Sequence, residues 1–208
     1  MIFEFKENNI TISVDLLQGI EIGIPIQRGI GVRSFNIDNA QYKMYQKDGF
    51  VGNKNNGGSC NLETITFTPH GNGTHTECYG HISLDQHHVN DNIQDDFYYA
   101  QLFTANTVEI NGQLALSFDN LELTPDLNFK SLVIRTLPNS NTKINRNYSG
   151  QKTPFITPKD MSKIVQLGIE HLVIDLPSVD PEWDEGKLAS HHIFWNYPTA
   201  PRTHCSIT

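Results

Sequence analysis

A short stretch of histidines and glycines constrains this chain more than any other part of its sequence. HGNGTHTECYGH, residues 70–81, holds three of the nine histidines and one carboxylate. If the chain is extended after Thr74, alternate side chains share one face, because a strand repeats every two residues. That face then carries four side chains: His75, Glu77, Tyr79 and His81.

Metal binding is one function that this stretch predicts. Two imidazoles and a carboxylate are a common ligand set for Zn²⁺ or Mn²⁺. Gly71 and Gly73 allow a sharp turn of the backbone, which would bring His70 towards His75. A histidine-rich loop in a protein is, however, more often plain polar surface. The spacing alone does not decide between the two interpretations.

The composition limits the classes of protein to which this chain can belong. A chain of 208 residues with 38% hydrophobic residues suffices for one domain with a core. The net charge of −8 disfavours nucleic acid and anionic membranes as partners, since both attract clustered Lys and Arg. No apolar run is long enough to cross a membrane, and the first residues lack a signal-peptide pattern. Three cysteines without a CxxC pair predict free thiols in a cytoplasmic protein.

Apolar runs and turn residues predict one mixed α/β domain over residues 1–208. A helix is expected over 158–167, because Thr157 is a good N-cap and the apolar residues recur at helical spacing. A second helix is expected within 185–195. The polar segment 135–155 is typical of a long binding loop or lid. Strands are expected in four apolar runs, the last three of them buried: 62–70, 106–110, 131–137 and 171–177.

Several segments together resemble the cyclase-like metal-dependent hydrolases, the family of bacterial kynurenine formamidase and isatin hydrolase. GNGTHTECYGH is similar to the HxGTHxDxPxH motif of that family, and KLASHHIFW is similar to its L-x-x-H-H stretch. The segments VDLLQGIEIGIPI, IRTLPN and the run from PFITPKD to LPSVDP also resemble family segments. The resemblance implies a swivelling β/β/α domain with mixed sheets and few helices. It also implies assembly into homodimers or homotetramers.

The family motifs assign roles to five residues of this chain. His75 and Glu77 match motif ligands of the metal, and His191 matches the ligand on the later helix. His81 matches the last motif histidine, which in the family is the catalytic acid/base. His70 resembles the first motif histidine, although it lies five residues before His75 where the family has four. An extra residue in the Gly-Asn-Gly turn would absorb this difference.

Three departures from the family pattern bear on the site. Glu77 stands where the family has aspartate, and Tyr79 stands where it has proline. The family also has a glutamate ligand about a dozen residues beyond the His-His pair, and the sequence up to Thr208 holds none there. Either that ligand is missing, or the sequence shown ends short of it. We therefore expect one divalent ion per chain, Zn²⁺ first and Mn²⁺ second, rather than two.

Hydrolysis of a C–N bond in an amide, formamide or cyclic amide is the expected reaction. A divalent ion acidifies water and polarises a carbonyl, and a nearby histidine can move the proton. The substrate is expected to be a small molecule, with an aromatic group if the neighbouring rings line a pocket rather than the core: Tyr79, Trp183, Trp195 and Tyr197. The alternative is a non-catalytic metal-binding or ligand-binding member of the same fold.

The other polar residues give weaker indications of a functional role. His87 and His88 lie among Asp and Asn and are expected on an exposed loop. His171 is expected at the edge of a buried strand. Asp175 and Asp180 bracket the PSVD turn and are expected to form hydrogen bonds there, or to support a ligand, rather than to act in catalysis.

Overall fold

The structure is a computed structural model that describes residues 1–7, 10–93, 97–124 and 128–208. In those residues the strands are β1 (Ile2–Glu7), β2 (Ile10–Asp15), β3 (Gln41–Met44), β4 (Gln46–Lys47), β5 (Phe50–Val51), β6 (Glu63–Thr66), β7 (Glu77–Cys78), β8 (Ala100–Ala105), β9 (Thr107–Ile110), β10 (Gln113–Leu116), β11 (Ser131–Thr136), β12 (His171–Ile174) and β13 (Ser206–Ile207). The α-helices are α1 (Pro69–Asn72), α2 (Val89–Asn92), α3 (Pro158–Gln166) and α4 (Ala189–Trp195). Short 3-10 turns lie at Leu16–Gln18, Lys54–Asn56, Tyr79–His81 and Asn141–Asn145.

The chain divides into two compact units. The first unit comprises Met1–Ile22, Thr76–Asn139 and Lys152–Thr208. The second unit comprises Gly23–His75 and Ser140–Gln151. The few helices and several small sheets make the chain a mixed α/β protein, as the sequence predicts at that level. The swivelling β/β/α arrangement stays a prediction.

A five-stranded sheet organises the first unit, in the order β7-β13-β12-β11-β8. β8, β11, β12 and β13 run parallel, whereas β7 lies antiparallel to β13 at one edge. The apolar run SLVIRT of β11 is buried along most of its length, which is usual for a central parallel strand. Since β7 begins at Glu77, this sheet fixes the backbone of one predicted metal ligand.

Two helices pack in the first unit and complete its core. Thr157 caps α3 by accepting a hydrogen bond from the backbone N–H of Asp160 at 3.1 Å, as expected from the sequence. α3 buries Met161 and Ile164, and α4 buries Phe194 and Trp195. The second helix predicted within 185–195 therefore forms, but only from Ala189.

Two-stranded hairpins account for the remaining strands of the first unit. β1 pairs with β2, and β9 pairs with β10, both antiparallel. The prediction of a buried strand at 106–110 is wrong in one respect. The strand forms as β9, but Val108 and Ile110 are 39% and 42% exposed. A hairpin that joins no larger sheet leaves apolar side chains partly in water, and the apolar run alone does not reveal this.

The second unit contains two small antiparallel sheets, β3–β6 and β4–β5. The strand predicted over 62–70 is shorter than expected, because β6 ends at Thr66 and α1 begins at Pro69. The polar segment predicted as a loop contributes its central part, Ser140–Gln151, to this unit. Tyr148 there is buried, and its backbone N–H donates to the carbonyl of Arg33 at 2.8 Å.

No helix within the described residues is both long enough and apolar enough to span a membrane.

Candidate metal centre

His70 and His75 lie together in the second unit. Their ring centroids are 4.5 Å apart. The turn between them contains α1, whose buried Asn72 fixes it by accepting the N–H of Thr68 and donating to the carbonyl of Asp38, both at 2.9 Å. Gly71 is required at this point, because a Cβ there would lie 2.6 Å from Ile37. The glycine-rich turn thus brings the two histidines together, as the sequence predicts.

The ring of His75 is oriented by a hydrogen bond to its own turn. Its Nδ1 lies 3.0 Å from the carbonyl oxygen of Gly73, so Nδ1 carries a proton and donates it to that oxygen. This tautomer leaves Nε2 with a lone pair, which is the atom that a metal ion would bind. The chain then passes through Thr76 directly to Glu77 in the first unit.

The extended conformation considered for residues 75–81 does not continue beyond Cys78. β7 ends at Cys78, and Tyr79–His81 form a 3-10 turn. Tyr79 enters the core of the first unit and is 6% exposed, so it does not share a face with the histidines. The turn nevertheless returns His81 to Glu77, with Nδ1 3.6 Å from the carboxylate. The reason is the burial of Tyr79, which outweighs the local preference for a continuous strand.

Glu77 is the centre of a three-residue cluster in the first unit. One carboxylate oxygen lies 3.3 Å from Nε2 of His191, and the other lies 3.6 Å from Nδ1 of His81. One ligand atom from each of the three residues lies within 4.8 Å of the other two. The Glu77 side chain is 11% exposed and that of His191 is 4% exposed, whereas that of His81 is 28% exposed.

Asp180 holds His191 in place. Its carboxylate lies 2.6 Å from Nδ1 of His191 and accepts the backbone N–H groups of Ser190 and His191 at 2.8 and 3.1 Å. Leu188, the residue before α4, supplies no side-chain cap, so Asp180 caps this helix from a distance along the chain. The same carboxylate therefore orients the ligand and satisfies the helix terminus. This matches the expected supporting role of Asp180.

The electrostatics of this cluster favour charged forms. Burial alone lowers the pKa of His191, but its hydrogen bonds to Asp180 and Glu77 outweigh burial and raise the pKa to about 9. Burial likewise acts to raise the pKa of Asp180, and its bonds from His191 and Ser190 bring that pKa below the usual value. Without a metal, an imidazolium at His191 neutralises part of this acidic site.

The donor set fits a divalent cation. Glu77 offers a carboxylate, and Nε2 of His191 points at it while Nδ1 is held by Asp180. An imidazole held by a carboxylate on its far nitrogen is the usual arrangement of a metal-binding histidine. A cation at this position would replace the proton on Nε2, because metal and proton compete for the same lone pair.

Four other polar residues lie outside this cluster. His87 stacks on Tyr79 with ring centroids 4.3 Å apart, and it belongs to no metal-binding group among the described residues. His171 is buried on β12, with Nδ1 2.9 Å from the hydroxyl of Ser206. Asp175 accepts the backbone N–H of Thr136 at 3.1 Å. His204 is on the surface near Glu170.

The aromatic residues considered as pocket walls divide into two groups. Tyr79 and Trp195 are buried in the core of the first unit. Trp183, by contrast, is 74% exposed. The OH of Tyr197 accepts the backbone N–H of Leu84 at 3.2 Å. Tyr197 therefore links the segment that follows α4 to the segment that follows His81, a contact that the sequence did not predict.

The chain combines a mixed α/β fold with a cluster of histidine and carboxylate groups that could hold a metal ion. A family model described as "Putative cyclase" matches residues 12–181. Because the match covers most of the chain, the chain belongs to this family. No curated protein shows a significant sequence match to it. His191 lies ten residues beyond the end of the match, so its assignment depends on the contacts of the cluster.

Proposed function

We propose that this chain is a metal-dependent hydrolase that cleaves the C–N bond of an amide, formamide or cyclic amide. The observation that carries this proposal is the cluster of Glu77, His81 and His191, with Asp180 holding His191. Membership of the cyclase family supports an enzymatic role for that cluster.

The proposed ligands are Glu77 and His191, completed by His75 and His70 from the same motif. The order of these residues along the chain and the tautomer of His75 support the assignment. Two or three imidazoles with one carboxylate suit Zn²⁺ best and also accept Mn²⁺. One ion per chain is proposed, since the motif supplies a single carboxylate ligand.

A divalent cation, when bound, supplies a polarised carbonyl and acidified water. His81 supplies proton transfer. Its side chain is the most exposed of the cluster at 28%, so a small substrate can reach it. Hydrolysis forms a C–O bond to water and breaks the C–N bond. In this scheme His81 accepts the proton from water and returns it to the leaving amine, while Glu77, 3.6 Å from its Nδ1, orients the ring.

The second candidate function is metal binding without catalysis. The observation in its favour is that His81 lies as close to Glu77 as a third ligand would, within the same 4.8 Å group as His191. If His81 binds the ion, the cluster has no free acid/base among its three members. Glu77 in place of the family aspartate also moves the carboxylate outward by one methylene.

Metal content per chain separates these candidates. The measurement uses protein purified without added metal, with His75→Ala, His81→Ala and the surface variant His204→Ala beside it. The hydrolase proposal expects about one equivalent of metal in the unaltered chain and in the His204 and His81 variants, and loss in the His75 variant. It also expects that His81→Ala abolishes turnover of formamides and cyclic amides.

Two outcomes would contradict the proposed roles. If His81→Ala loses metal as readily as His75→Ala, His81 is a ligand, and the non-catalytic candidate is favoured. If the unaltered chain binds no metal even after reconstitution, both candidates fail.

A further inference from the structure

The two units of the chain carry opposite net charges. The second unit, Gly23–His75 and Ser140–Gln151, contains seven Lys and Arg residues but only three Asp and Glu residues, which gives it a net charge of +4. The whole chain carries −8, so the first unit carries −12. A local excess of positive charge attracts anions even on a protein that is acidic overall. His70 and His75 belong to the second unit, so its charge favours an anionic ligand near these two proposed metal ligands.

Arg146 lies in the polar segment for which the sequence predicts a binding loop or lid. Its half-buried guanidinium lies over the ring of Tyr148, 5.4 Å from the ring centroid, which is within the range of a cation–π interaction. One of its N–H groups donates to the hydroxyl of Thr142 at 3.0 Å. These contacts hold the guanidinium and leave several of its five N–H donors for a ligand. Among the described residues, no carboxylate forms an ion pair with Arg146.

The segment that carries Arg146 lies close to His70 within the second unit. Arg33 forms an isolated parallel bridge with Asn147, in which the backbone N–H of Arg33 donates to the carbonyl of Arg146 at 3.0 Å. The next residue, Ser34, is buried, and its hydroxyl donates to the carbonyl of His70 at 3.3 Å. Two such steps of about 5 Å place the segment of Arg146 roughly 10 Å from that of His70. A small molecule can span this distance.

The bridge also determines on which side the guanidinium lies. Side chains alternate along an extended segment, and two bridged residues point to the same side. The two bridged residues therefore point one way, whereas Ser34, Arg146 and Tyr148 point the other way. The stacking of Arg146 on Tyr148 agrees with this assignment. The guanidinium thus lies on the side where Ser34 contacts the backbone of His70.

We propose that Arg146 is a specificity-determining residue that binds a carboxylate group of the substrate, so that the chain prefers amides that carry a carboxylate. This inference rests on the proposed function, because it places the amide at the ion that His70 helps to bind. The planar guanidinium matches a carboxylate through two parallel N–H···O bonds. A single guanidinium also balances the single negative charge of a carboxylate, whereas a phosphate monoester carries close to two negative charges.

Two probes that differ only in charge test this preference: para-formamidobenzoate and its neutral isostere para-formamidobenzamide. Their dissociation constants are measured by isothermal titration calorimetry on the full-length His81→Ala variant, as purified, which the proposed function expects to bind an amide without turnover. We expect the carboxylate probe to bind about 10–100-fold more tightly than the carboxamide probe, because a hydrogen-bonded charge pair has that effect on affinity. The ratio is expected to fall as the salt concentration rises.

Three further variants in the same background assign the preference to one side chain. Arg146→Gln is expected to bring the two dissociation constants to within about twofold of each other, with the affinity for the carboxamide probe unchanged. Arg146→Lys keeps the charge but not the planar fork, so it is expected to retain part of the preference. Arg28→Gln is the matched control, because Arg28 also lies over a tyrosine ring, 4.5 Å from the centroid of Tyr42, but already pairs with Glu63. It is expected to retain the full preference, and thermal unfolding checks that each variant is folded.

Several outcomes would overturn the inference. These are equal binding of the two probes, no measurable binding of either probe, or an unchanged preference in Arg146→Gln. Loss of the preference in Arg28→Gln as well would show that the net charge of the second unit, rather than Arg146, attracts the carboxylate.

Metal content and turnover of the carboxamide probe by the unaltered chain test the proposed function separately. Turnover of that probe without a preference for the carboxylate would overturn this inference alone. A preference that depends on Arg146, without metal or turnover, would contradict the proposed function and leave the carboxylate site.

Discussion

At the scale of the residue, Asp180 determines how His191 meets a metal ion. Its carboxylate binds the far nitrogen of the imidazole at 2.6 Å and two backbone N–H groups of α4. The bond to Nδ1 orients the ring so that Nε2 faces Glu77, and the two backbone bonds hold the Asp180 carboxylate in place. The position of Nε2 is therefore set before any metal binds, which lowers the entropic cost of binding.

Asp180→Asn is expected to weaken metal binding by about 10–100-fold. The amide keeps one acceptor oxygen but loses the negative charge that supports His191, so the imidazole becomes a weaker and less well-oriented ligand. Stability is expected to fall by about 1–3 kcal/mol, because a buried charged hydrogen bond is lost. Competition with a chelator of known affinity measures the binding, and thermal unfolding measures the stability.

Asp175→Asn is the matched control for this prediction. Asp175 lies five residues earlier and accepts the N–H of Thr136, with no part in the cluster around Glu77. Its variant is expected to lose stability while the metal affinity stays within about twofold. Equal metal affinity of the Asp180 variant and the unaltered protein would show that His191 is not the ligand.

At the scale of the element, local signals predicted α3 closely. Thr157, a proline, an apolar stripe and a following glycine all lie within one segment of sequence, and the helix runs from Pro158 to Gln166 as they indicate. Strands β11 and β12 were equally predictable, because buried parallel strands read as continuous apolar runs. In each case the information lies within the element itself.

The element that carries His81 was not predictable in this way. A strand from 75 to 81 satisfies every local rule, yet the chain turns after Cys78. Tyr79 gains more by entering a core assembled from distant segments than it would on a shared face with the histidines. The motif correctly indicated that His81 lies near Glu77. A continuous strand, however, is the wrong backbone conformation for this contact, because a 3-10 turn brings His81 back. Likewise, the contact of Asp180 with His191 spans residues that only tertiary folding joins.

Thr157→Ala tests how much a predictable cap contributes. The Thr157 hydroxyl accepts from the backbone N–H of Asp160 at 3.1 Å and donates to its carboxylate at 2.5 Å. Removal is expected to cost about 1–2 kcal/mol and to lower the melting temperature by about 2–5 °C, with metal affinity unchanged. Lys159→Ala, on an exposed position of the same helix, is the control and is expected to have almost no effect.

At the scale of the whole molecule, the three free cysteines differ in how deeply they are buried, and their reactivity therefore tests the burial of both units. Cys60 is exposed in the second unit, whereas Cys78 and Cys205 are buried in the first unit at 3% and 0% exposure. Burial raises the pKa of the Cys205 thiol to about 11, so at pH 8 it is almost entirely protonated. Since the thiolate is the reactive form, burial and protonation act in the same direction.

The native protein is therefore expected to show one fast thiol towards a disulfide reagent at pH 8, and three after unfolding in denaturant. Raising the pH to 9 should leave Cys205 slow, because its pKa lies well above both values. Cys60→Ser should remove the fast phase and leave two thiols that react only on unfolding. A fast thiol in that variant would mean that β7 or the segment before β13 opens in the native state. The backbone of Glu77 would then be mobile, because β7 carries Glu77 and Cys78 side by side and pairs with β13.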